Sequence, residues 1–176
     1  MHLSTSAKPK LTFKSLKQIE DPALSEKCLG LVTTWFTEEW GYIHDKDKTQ
    51  EHAIKTRKKN LKENADKIHI AFYEKLIVGA FRIEEKKIDE NLLIKEQLKT
   101  SEIWFIYVDP TYRSLGAGRQ MVQEIKRMSK DEMKAGMVLL ETLNPGLNHL
   151  YMTEGGKVVC ENSLDNNPTD VIKIGL

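Results

Sequence analysis

The stretch VDPTYRSLGAGR, residues 108–119, decides the fold because it joins a continuous apolar run to a helical pattern. The run IWFIYV, residues 103–108, predicts a buried strand that ends at an Asp-Pro pair. Residues 116–135 repeat apolar side chains at helical spacing, and Gly136 is the expected C-terminal stop. Residues 137–143 (MVLLETL) predict a second buried strand. Strand, helix and strand in this order are typical of a parallel crossover.

The turn between the first strand and the helix contains Gly116 and Gly118. Glycine lets the backbone come close to a ligand, and the first amides of a helix carry partial positive charge. Such a turn can hold a pyrophosphate through its N–H groups. The P-loop pattern is excluded because no Gly-Lys-Ser/Thr follows, and the dinucleotide fingerprint fails at Met121. On the glycines alone, a tight turn without a ligand is the competing interpretation.

The rest of the chain supplies the elements of one α/β domain that covers residues 1–176, with residues 1–9 as a flexible N-terminal tail. Periodicity and turn residues define these elements. They are a strand at 11–19, a helix at 22–40, a basic helix at about 50–63, a hairpin of strands 67–73 and 76–84, a polar excursion at 85–100, a short helix at 147–154, and strands at 157–161 and 170–175.

Composition favours an ordinary soluble protein, with 40% hydrophobic and 30% charged residues. The net charge of +1 argues against nucleic acid or an anionic membrane as a partner. The basic stretch KTRKKNLK, residues 55–62, is either a solvated helix face or a nucleic-acid contact, and the near-neutral total favours the first. No signal peptide or run of about 20 apolar residues is seen, so we expect a cytoplasmic protein without membrane contact.

Cysteine and histidine patterns predict neither a disulfide nor a metal site. Cys28 and Cys160 both lie in apolar patterns, which favours buried free thiols. The five histidines lack ligand spacing, and no Cys/His or Ser/His pair indicates a covalent intermediate.

The pattern Arg113-x-x-Gly116-x-Gly118, after a strand ending in Val-Asp-Pro, resembles the acetyl-CoA signature of the GNAT superfamily of N-acyltransferases. The element order also matches, so the resemblance covers nearly the whole chain and is specific over residues 102–156. It implies a mixed, mostly antiparallel sheet with one parallel pair of strands, flanked by helices. It implies an N-acetyltransferase with acetyl-CoA as cosubstrate, no metal, and direct attack by an amine. A catalytically silent acetyl-CoA-binding module of the same fold is the alternative.

The resemblance assigns the coenzyme contacts. The pyrophosphate would be held by backbone amides of the glycine turn, and pantetheine would pair with main chain of the strand before it. The asparagines around the short helix would touch the coenzyme arm. The residues GGKVV replace the family's usual Gly-Phe, which leaves the register of that helix open. The implied residues are Ile106, Val108, Arg113, Ser114, Leu115, Gly116, Ala117, Gly118, Arg119, Asn144 and Asn148.

The resemblance also suggests catalytic groups. Tyr151 would protonate the departing thiolate, although a core tyrosine on an amphipathic helix is the alternative. The acceptor amine must lose a proton, and Glu102 is the first candidate base. It lies four residues before Ile106, on the same face of the strand by the period of two, and the histone-acetyltransferase branch has a glutamate at this offset. A solvated glutamate is the alternative, and Glu141 is the second candidate.

The acceptor region predicted by the resemblance comprises residues 35–47 and the excursion at 85–100. Aromatic and acidic side chains there could receive a cationic amine, and Trp35, Glu38, Glu39 and Trp40 are the candidates. Core aromatics beside a solvated acidic helix end are the alternative. A polyamine, an aminoglycoside and a protein amine all fit, and both a monomer and a homodimer are compatible with the sequence.

Overall fold

The computed structural model describes residues 10–86, 99–161 and 169–176. Short 3-10 turns lie at Leu16–Gln18, Pro110–Tyr112 and Pro145–Leu147. The α-helices and strands of the described residues are β1 (Thr12–Ser15), α1 (Pro22–His44), α2 (Gln50–Glu63), β2 (Ile68–Tyr73), β3 (Leu76–Glu85), β4 (Thr100–Val108), α3 (Ala117–Asp131), β5 (Met137–Thr142), α4 (Asn148–Thr153), β6 (Gly156–Cys160) and β7 (Asp170–Gly175).

The described strands form one sheet in the order β1-β2-β3-β4-β5-β7-β6. Strands β4 and β5 pair in parallel, whereas β1 with β2, β5 with β7, and β6 with β7 pair antiparallel. This confirms the predicted α/β architecture, a mixed and mostly antiparallel sheet with one parallel pair and helices. The parallel pair is the one expected from the crossover through α3.

The chain contains two compact units. The first unit runs to Ala80 and includes Tyr107–Leu115; the second consists of Phe81–Ile106 and Gly116–Leu176. The prediction of a single domain therefore stays a prediction. Each unit is described by itself below.

In the first unit, α1 begins at Pro22, where the Asp21 side chain accepts a hydrogen bond from Ala23 N at 2.9 Å. An acidic cap before a proline at the first helical position is a strong start signal. The helix continues to His44 rather than ending at the predicted residue 40. Its end is fixed because Arg57 on α2 donates to the Asp45 carboxylate at 2.7 Å and lies over the Phe36 ring at 4.4 Å.

In the second unit, α3 buries the apolar face predicted from its periodicity, with Met121, Val122 and Ile125 fully enclosed. Complete burial of such side chains stabilises by roughly 1.5–3 kcal/mol each. The Ser129 hydroxyl of α3 is joined to Ser101 of β4 by a buried hydrogen bond of 2.7 Å.

Three further predictions about elements and one about a thiol need correction. Strand β1 ends at Ser15, because Ser15 and Gln18 form a capping box that starts a 3-10 turn. Helix α3 ends at Asp131 rather than 135, because Lys134 adopts a left-handed φ of 57° and Ala135 N bonds back to Ser129 O at 2.8 Å. Strand β4 starts three residues before the predicted Ile103, at Thr100, because residues 100–103 pair with β5.

The fourth correction concerns a thiol. Cys160 is exposed near the end of β6, whereas Cys28 is buried as predicted, and burial raises its pKa to about 11. Two predicted segments fall outside the described residues: the tail at 1–9 and most of the excursion at 85–100, of which 87–98 are not described.

Candidate functional site

The glycine turn has the backbone conformation of an uncapped helix start. Ser114 has a φ of 67° and Gly116 a φ of 80°, both left-handed. Gly116 is the N-cap residue of α3 and provides no side-chain acceptor for the first amides of the helix. Left-handed φ at Gly116 explains why glycine stands there, since a Cβ strains this conformation. The first N–H groups of α3 therefore remain available to an external acceptor.

The residue that opens the turn, Arg113, folds back on the end of β4 within the first unit. Its Nε donates to the Val108 carbonyl at 2.9 Å, and its guanidinium lies 5.4 Å from the Tyr107 ring centroid. Ser114 and Leu115 are exposed. The Arg113 side chain is therefore bonded to the end of β4, and the side chains of Ser114 and Leu115 are in solvent.

Strand β4 is paired with β5 over only part of its length. The parallel register joins Thr100–Ile103 to Met137–Leu140. Strand β4 continues to Val108, while the last residues of β5 pair with β7. Within the described residues of the second unit, the segment 104–106, which includes the predicted coenzyme neighbour Ile106, therefore lies beyond the register that joins β4 to β5.

Gly79 of β3 lies unusually close to the end of β4 in the first unit. A Cβ at Gly79 would lie 2.2 Å from the Tyr107 carbonyl oxygen and 3.2 Å from the Val108 Cα. Asp109 N donates to Val78 O at 2.9 Å in the same place. A glycine inside a strand often marks such an approach of two backbones. Glycine at position 79 therefore allows the backbones of β3 and the end of β4 to approach each other closely.

The two predicted asparagines occupy different surroundings in the second unit. Asn144 is exposed, and its Oδ1 accepts from Gly146 N at 3.0 Å, which closes a local turn. Asn148 donates from Nδ2 to the Asp170 carboxylate at 2.7 Å. Its Oδ1 is buried and has no hydrogen-bond partner among the described residues. Buried acceptors rarely stay unpaired, so this oxygen indicates a missing donor.

Tyr151 of α4 is only 3% exposed, and burial raises its pKa above that of an ordinary tyrosine. The helix carrying it ends at Thr153, and Gly155, two residues later, has a left-handed φ of 91°. Gly156 follows with no room for a side chain, since a Cβ would lie 2.7 Å from the Tyr151 carbonyl oxygen. The pair of glycines therefore defines the register of the helix.

Arg119 in the first turn of α3 forms a short ion pair with Glu154 at the end of α4. The Arg119 Nε–Glu154 Oε1 distance is 2.6 Å, and Gln123 Nε2 donates to the same oxygen at 3.3 Å. Lys126 Nζ donates to the Glu154 backbone carbonyl at 2.8 Å. Three donors of α3 therefore hold the residue that ends α4.

The two carboxylates considered as bases lie on neighbouring strands of the second unit. Glu102 of β4 is part-buried and accepts from Lys86 Nζ at 2.9 Å. Glu102, Trp104 and Ile106 alternate with buried residues, as the period of two predicts. Glu141 of β5 is exposed, which removes the requirement for a buried partner.

The predicted acceptor residues lie on α1 in the first unit. Trp35 is buried and stacks on Tyr107 with 5.1 Å between ring centroids. Trp40 is half-buried and meets the edge of the same ring at 6.3 Å, whereas Glu38 and Glu39 are exposed. Trp35 thus lies in the core, and the open part of the cluster consists of the two acids and Trp40.

The two acids act electrostatically on the end of β4. Burial is the main cause that raises the pKa of Tyr107, and Glu39 and Glu38 add to it while Arg113 opposes it. The contributions of Glu39 and Glu38 to this raised pKa mean that their negative charge acts on the tyrosine ring. Charge of this sign favours a cation in the same surroundings.

Sequence reasoning missed three residues with evident roles. Glu154 could have been found from the run Arg119, Gln123 and Lys126, whose spacing places three donors on one face of α3. Gly79 carries the general signal of a glycine inside an apolar strand. Lys86, the partner of Glu102, gives no sequence signal because it sits in a stretch of alternating charges.

Two kinds of feature are absent from the residues that the structure describes. Within 10–86, 99–161 and 169–176, no group of three or more histidine, cysteine, aspartate or glutamate side chains could hold a metal ion. The described helices include none with the length and apolar character needed to cross a membrane.

Residues 29–154 match the family model described as "Acetyltransferase (GNAT) family". No curated protein sequence matches the chain. Many solved structures share the fold.

Three of these structures are similar over nearly their whole length. The NatC complex bound to Gag peptide and CoA has 16% identity and a TM-score of 0.62, covering 95% of this chain and 99% of that one. The PaiA N-acetyltransferase from Thermoplasma acidophilum in complex with coenzyme A has 15% identity and a TM-score of 0.61, covering 95% and 99%. A spermidine N-acetyltransferase SpeG chimera from Vibrio cholerae and hSSAT has 15% identity and a TM-score of 0.63, covering 94% and 95%. At such identities the likeness shows the fold.

Proposed function

The chain belongs to the acetyltransferase (GNAT) family and is an N-acetyltransferase, and we propose that it transfers the acetyl group of acetyl-CoA to a cationic amine by direct attack. The observation that carries the proposal is the uncapped start of α3. Gly116 has a left-handed φ of 80° and supplies no side-chain cap, so the first amides of α3 receive no acceptor from their N-cap residue. A pyrophosphate is the acceptor that such amides and the helix dipole favour.

Other residues of the second unit fit the coenzyme. The Asn148 Oδ1 atom is a buried acceptor in need of a donor, and the pantetheine arm carries amide N–H groups. The β5-facing edge of residues 104–106 offers main-chain groups that an extended amide chain can pair with. Ile106, Asn148 and residues 116–119 are therefore the proposed coenzyme contacts in this unit, and the family resemblance adds Val108 and residues 113–115. Asn144 contributes through the turn it closes.

Acetyl-CoA supplies an activated acyl carbon and a thiolate leaving group. The amine nitrogen forms the new amide bond as the carbon–sulfur bond breaks, so one proton must leave nitrogen and one must reach sulfur. Glu102 is the proposed acceptor of the first proton, directly or through water; Lys86 already uses its Oε1 atom, which leaves Oε2. Tyr151 is the proposed donor of the second, because burial keeps its hydroxyl protonated.

The acceptor is proposed to be an amine with positive charge near the reacting nitrogen. Glu38, Glu39 and Trp40 of α1 provide negative charge and an aromatic surface for it. One similar structure is bound to a peptide and another is named for spermidine, so both protein amines and polyamines are candidate acceptors for this chain. A cytoplasmic location and a monomeric or homodimeric state stay predictions.

An amine screen tests the proposal. Purified protein, acetyl-CoA and a panel of polyamines, aminoglycosides and lysine- or N-terminus-bearing peptides would be incubated, and release of free thiol would be followed. We expect amine-dependent release with at least one class, and we expect the Tyr151→Phe variant to lose most of it. Tyr73→Phe, which changes a tyrosine at the end of β2 in the first unit, is the matched control.

Calorimetry with coenzyme A separates enzyme from binding module. Binding without amine-dependent release across the whole panel would favour the catalytically silent module. If coenzyme A does not bind, the assignment of the glycine turn is wrong.

A further inference from the structure

Glu154 is a nearly enclosed carboxylate that the proposed chemistry does not use. Its side chain is 7% exposed, and it forms the C-terminal cap of α4, three residues after Tyr151. A carboxylate in such a place is costly unless charged partners compensate it. Among the described residues, the hydrogen bonds to this carboxylate come from α3, through Arg119 and Gln123, and Lys126 of the same helix bonds the Glu154 main chain.

The three donors of α3 bond two different atoms of Glu154. Arg119 and Gln123, one helical turn apart, both donate to the Oε1 atom of Glu154. Lys126, almost one further turn along, donates to its backbone carbonyl, one of the carbonyls that the end of a helix leaves unpaired. Together they fix both the side chain and the main chain of the residue that ends α4. Tyr151 lies on the same short helix, three residues before Glu154.

Arg119 also belongs to the glycine turn. A positive side chain in the first turn of a helix is unfavourable next to the positive end of the helix dipole, so it needs an anionic partner. Glu154 engages its Nε atom, and the Arg119 side chain is 57% exposed. More than half of the Arg119 side chain therefore stays exposed to solvent, and an Arg fork binds phosphate well.

We infer that Glu154 is a positioning residue that couples the two ends of the coenzyme site: it aims the Arg119 guanidinium at the pyrophosphate and fixes α4 so that the Tyr151 hydroxyl faces the sulfur. The inference rests on the proposed function. It assigns a role to a side chain that touches neither the acetyl group nor the amine.

Charge repulsion and a positioning role predict opposite changes in coenzyme affinity when the charge of Glu154 is removed. Glu154 is an anion near an expected dianionic ligand, so Glu154→Gln on charge grounds alone should strengthen coenzyme binding. If its role is to aim Arg119, the same change should weaken binding, because the guanidinium loses its charged anchor. The sign of the change in affinity therefore discriminates between the two.

The test compares Glu154→Gln with Glu124→Gln. Glu124 lies on the same helix and is paired with Arg127 at 2.7 Å, so the control removes an equal charge and an ion pair away from α4. The dissociation constant for coenzyme A would be measured by calorimetry, kcat and KM by thiol release, and the melting temperature by circular dichroism. We expect Glu154→Gln to raise the dissociation constant about 10-fold, the loss of one charge-assisted hydrogen bond. We expect kcat to fall about 10- to 100-fold, as misplacement of a catalytic group does.

A second variant isolates the attachment of α4. Lys126→Met removes the donor to the Glu154 carbonyl and leaves the Arg119 ion pair in place, so kcat should fall while the affinity for coenzyme A is retained. This variant also serves if Glu154→Gln does not fold. A double-mutant cycle adds a readout that loss of stability does not produce: in a Tyr151→Phe background, Lys126→Met should have almost no further effect on kcat.

The outcomes are distinguishable from failure of the proposed function. If the wild type does not bind coenzyme A, the function is wrong and the coupling falls with it. If the wild type binds and acetylates but Glu154→Gln behaves like Glu124→Gln or binds more tightly, the coupling alone is overturned. Equal kcat losses from Lys126→Met with and without Tyr151 would also overturn it.

Discussion

The glycine turn that starts α3 and the acid-aromatic end of α1 are both proposed to hold charged ligands, but they do so with different parts of the chain. The turn offers main-chain N–H groups, and its conformation depends on left-handed φ at Ser114 and Gly116. The end of α1 offers side chains, of which Trp35 is core and Glu38 and Glu39 are exposed. The glycine turn depends on the positions of its glycines, whereas the end of α1 depends on which side chains are exposed.

This difference explains how well each of the two regions can be predicted from the sequence. A backbone site needs particular residues at particular positions, since few alternatives adopt the same dihedral angles. A side-chain site can be built from many combinations, and its aromatic residues serve the core equally well. The proposed coenzyme site could therefore be predicted from the sequence, whereas the proposed acceptor site depends on burial that only the structure gives.

The largest effect is expected from Gly116→Glu. The substitution places an anion at the proposed pyrophosphate position and a Cβ at a φ of 80°. Like charges about 4 Å apart repel by roughly 4 kcal/mol near a protein surface, which corresponds to a nearly 1,000-fold change in affinity. Calorimetry with coenzyme A should detect no binding at concentrations that saturate the wild type.

Gly175→Glu is the matched control for that change. Gly175 ends β7, and nothing lies within 4 Å of an added Cβ. It adds the same charge to the second unit and should leave the affinity within a factor of about two. Retained binding in Gly116→Glu would remove the amides of α3 from the coenzyme site.

Sequence reasoning predicted the order of the elements and the parallel pair because both depend on periodicity and turn residues. The bounds of α2, β2 and β3 agree within about one residue of the expectation. It misjudged where α3 ends, since Lys134 rather than Gly136 takes the left-handed position. A glycine is the commonest residue there, but lysine also adopts it when the following bonds compensate.

Of the site, the main-chain part was predictable and the side-chain pairings were not. Arg119 was expected to contribute only an amide, yet its side chain is bound to Glu154. Asn148 and Tyr151 were placed on a short helix by their pattern, but the unpaired Oδ1 and the depth of the hydroxyl depend on contacts distant in sequence. Pairings of this kind leave no periodic signal.

The next effect is on turnover. Tyr151→Phe should reduce kcat about 100-fold or more, the contribution usual for a general acid, with little change in the dissociation constant for coenzyme A. Burial raises the pKa of Tyr151, so its protonated form persists at alkaline pH. The kcat of the wild type should therefore show no decline attributable to this group below about pH 10. Thiol-release rates from pH 6 to 10 check both statements.

Tyr151 is also expected to make the free energy of unfolding depend on pH. The unfolded tyrosine ionises near pH 10, whereas the folded one holds its proton to higher pH. Its contribution is present below the unfolded pKa and is lost as pH rises through the folded pKa. Urea unfolding at pH 8 and 11 should show a smaller loss for Tyr151→Phe than for the wild type. Equal losses would contradict the burial of the hydroxyl.

A backbone requirement is also expected in the first unit, at Gly79. An alanine Cβ there would lie 2.2 Å from the Tyr107 carbonyl oxygen, so the strands must separate. Gly79→Ala should lower the free energy of unfolding by about 1–3 kcal/mol, as other overpacked sites do. Gly30→Ala is the control, because nothing lies within 4 Å and an alanine inside a helix stabilises by roughly 0.5–1 kcal/mol. Opposite signs in urea titrations are expected.

The smallest effect is expected at the acid-aromatic end of α1. Glu38→Gln with Glu39→Gln should raise KM for a cationic acceptor about 3- to 10-fold and leave kcat nearly unchanged, since exposed charges contribute roughly 0.2–1 kcal/mol each. Because these carboxylates are exposed, the difference from the wild type should shrink between 20 mM and 500 mM salt as the Debye length falls. Glu51→Gln, an exposed acid in the first turn of α2, controls for net charge. An effect on KM that is equal for all three glutamates would mean that the acids act only through the total charge, and the acceptor site would then have to be sought in side chains other than those of α1.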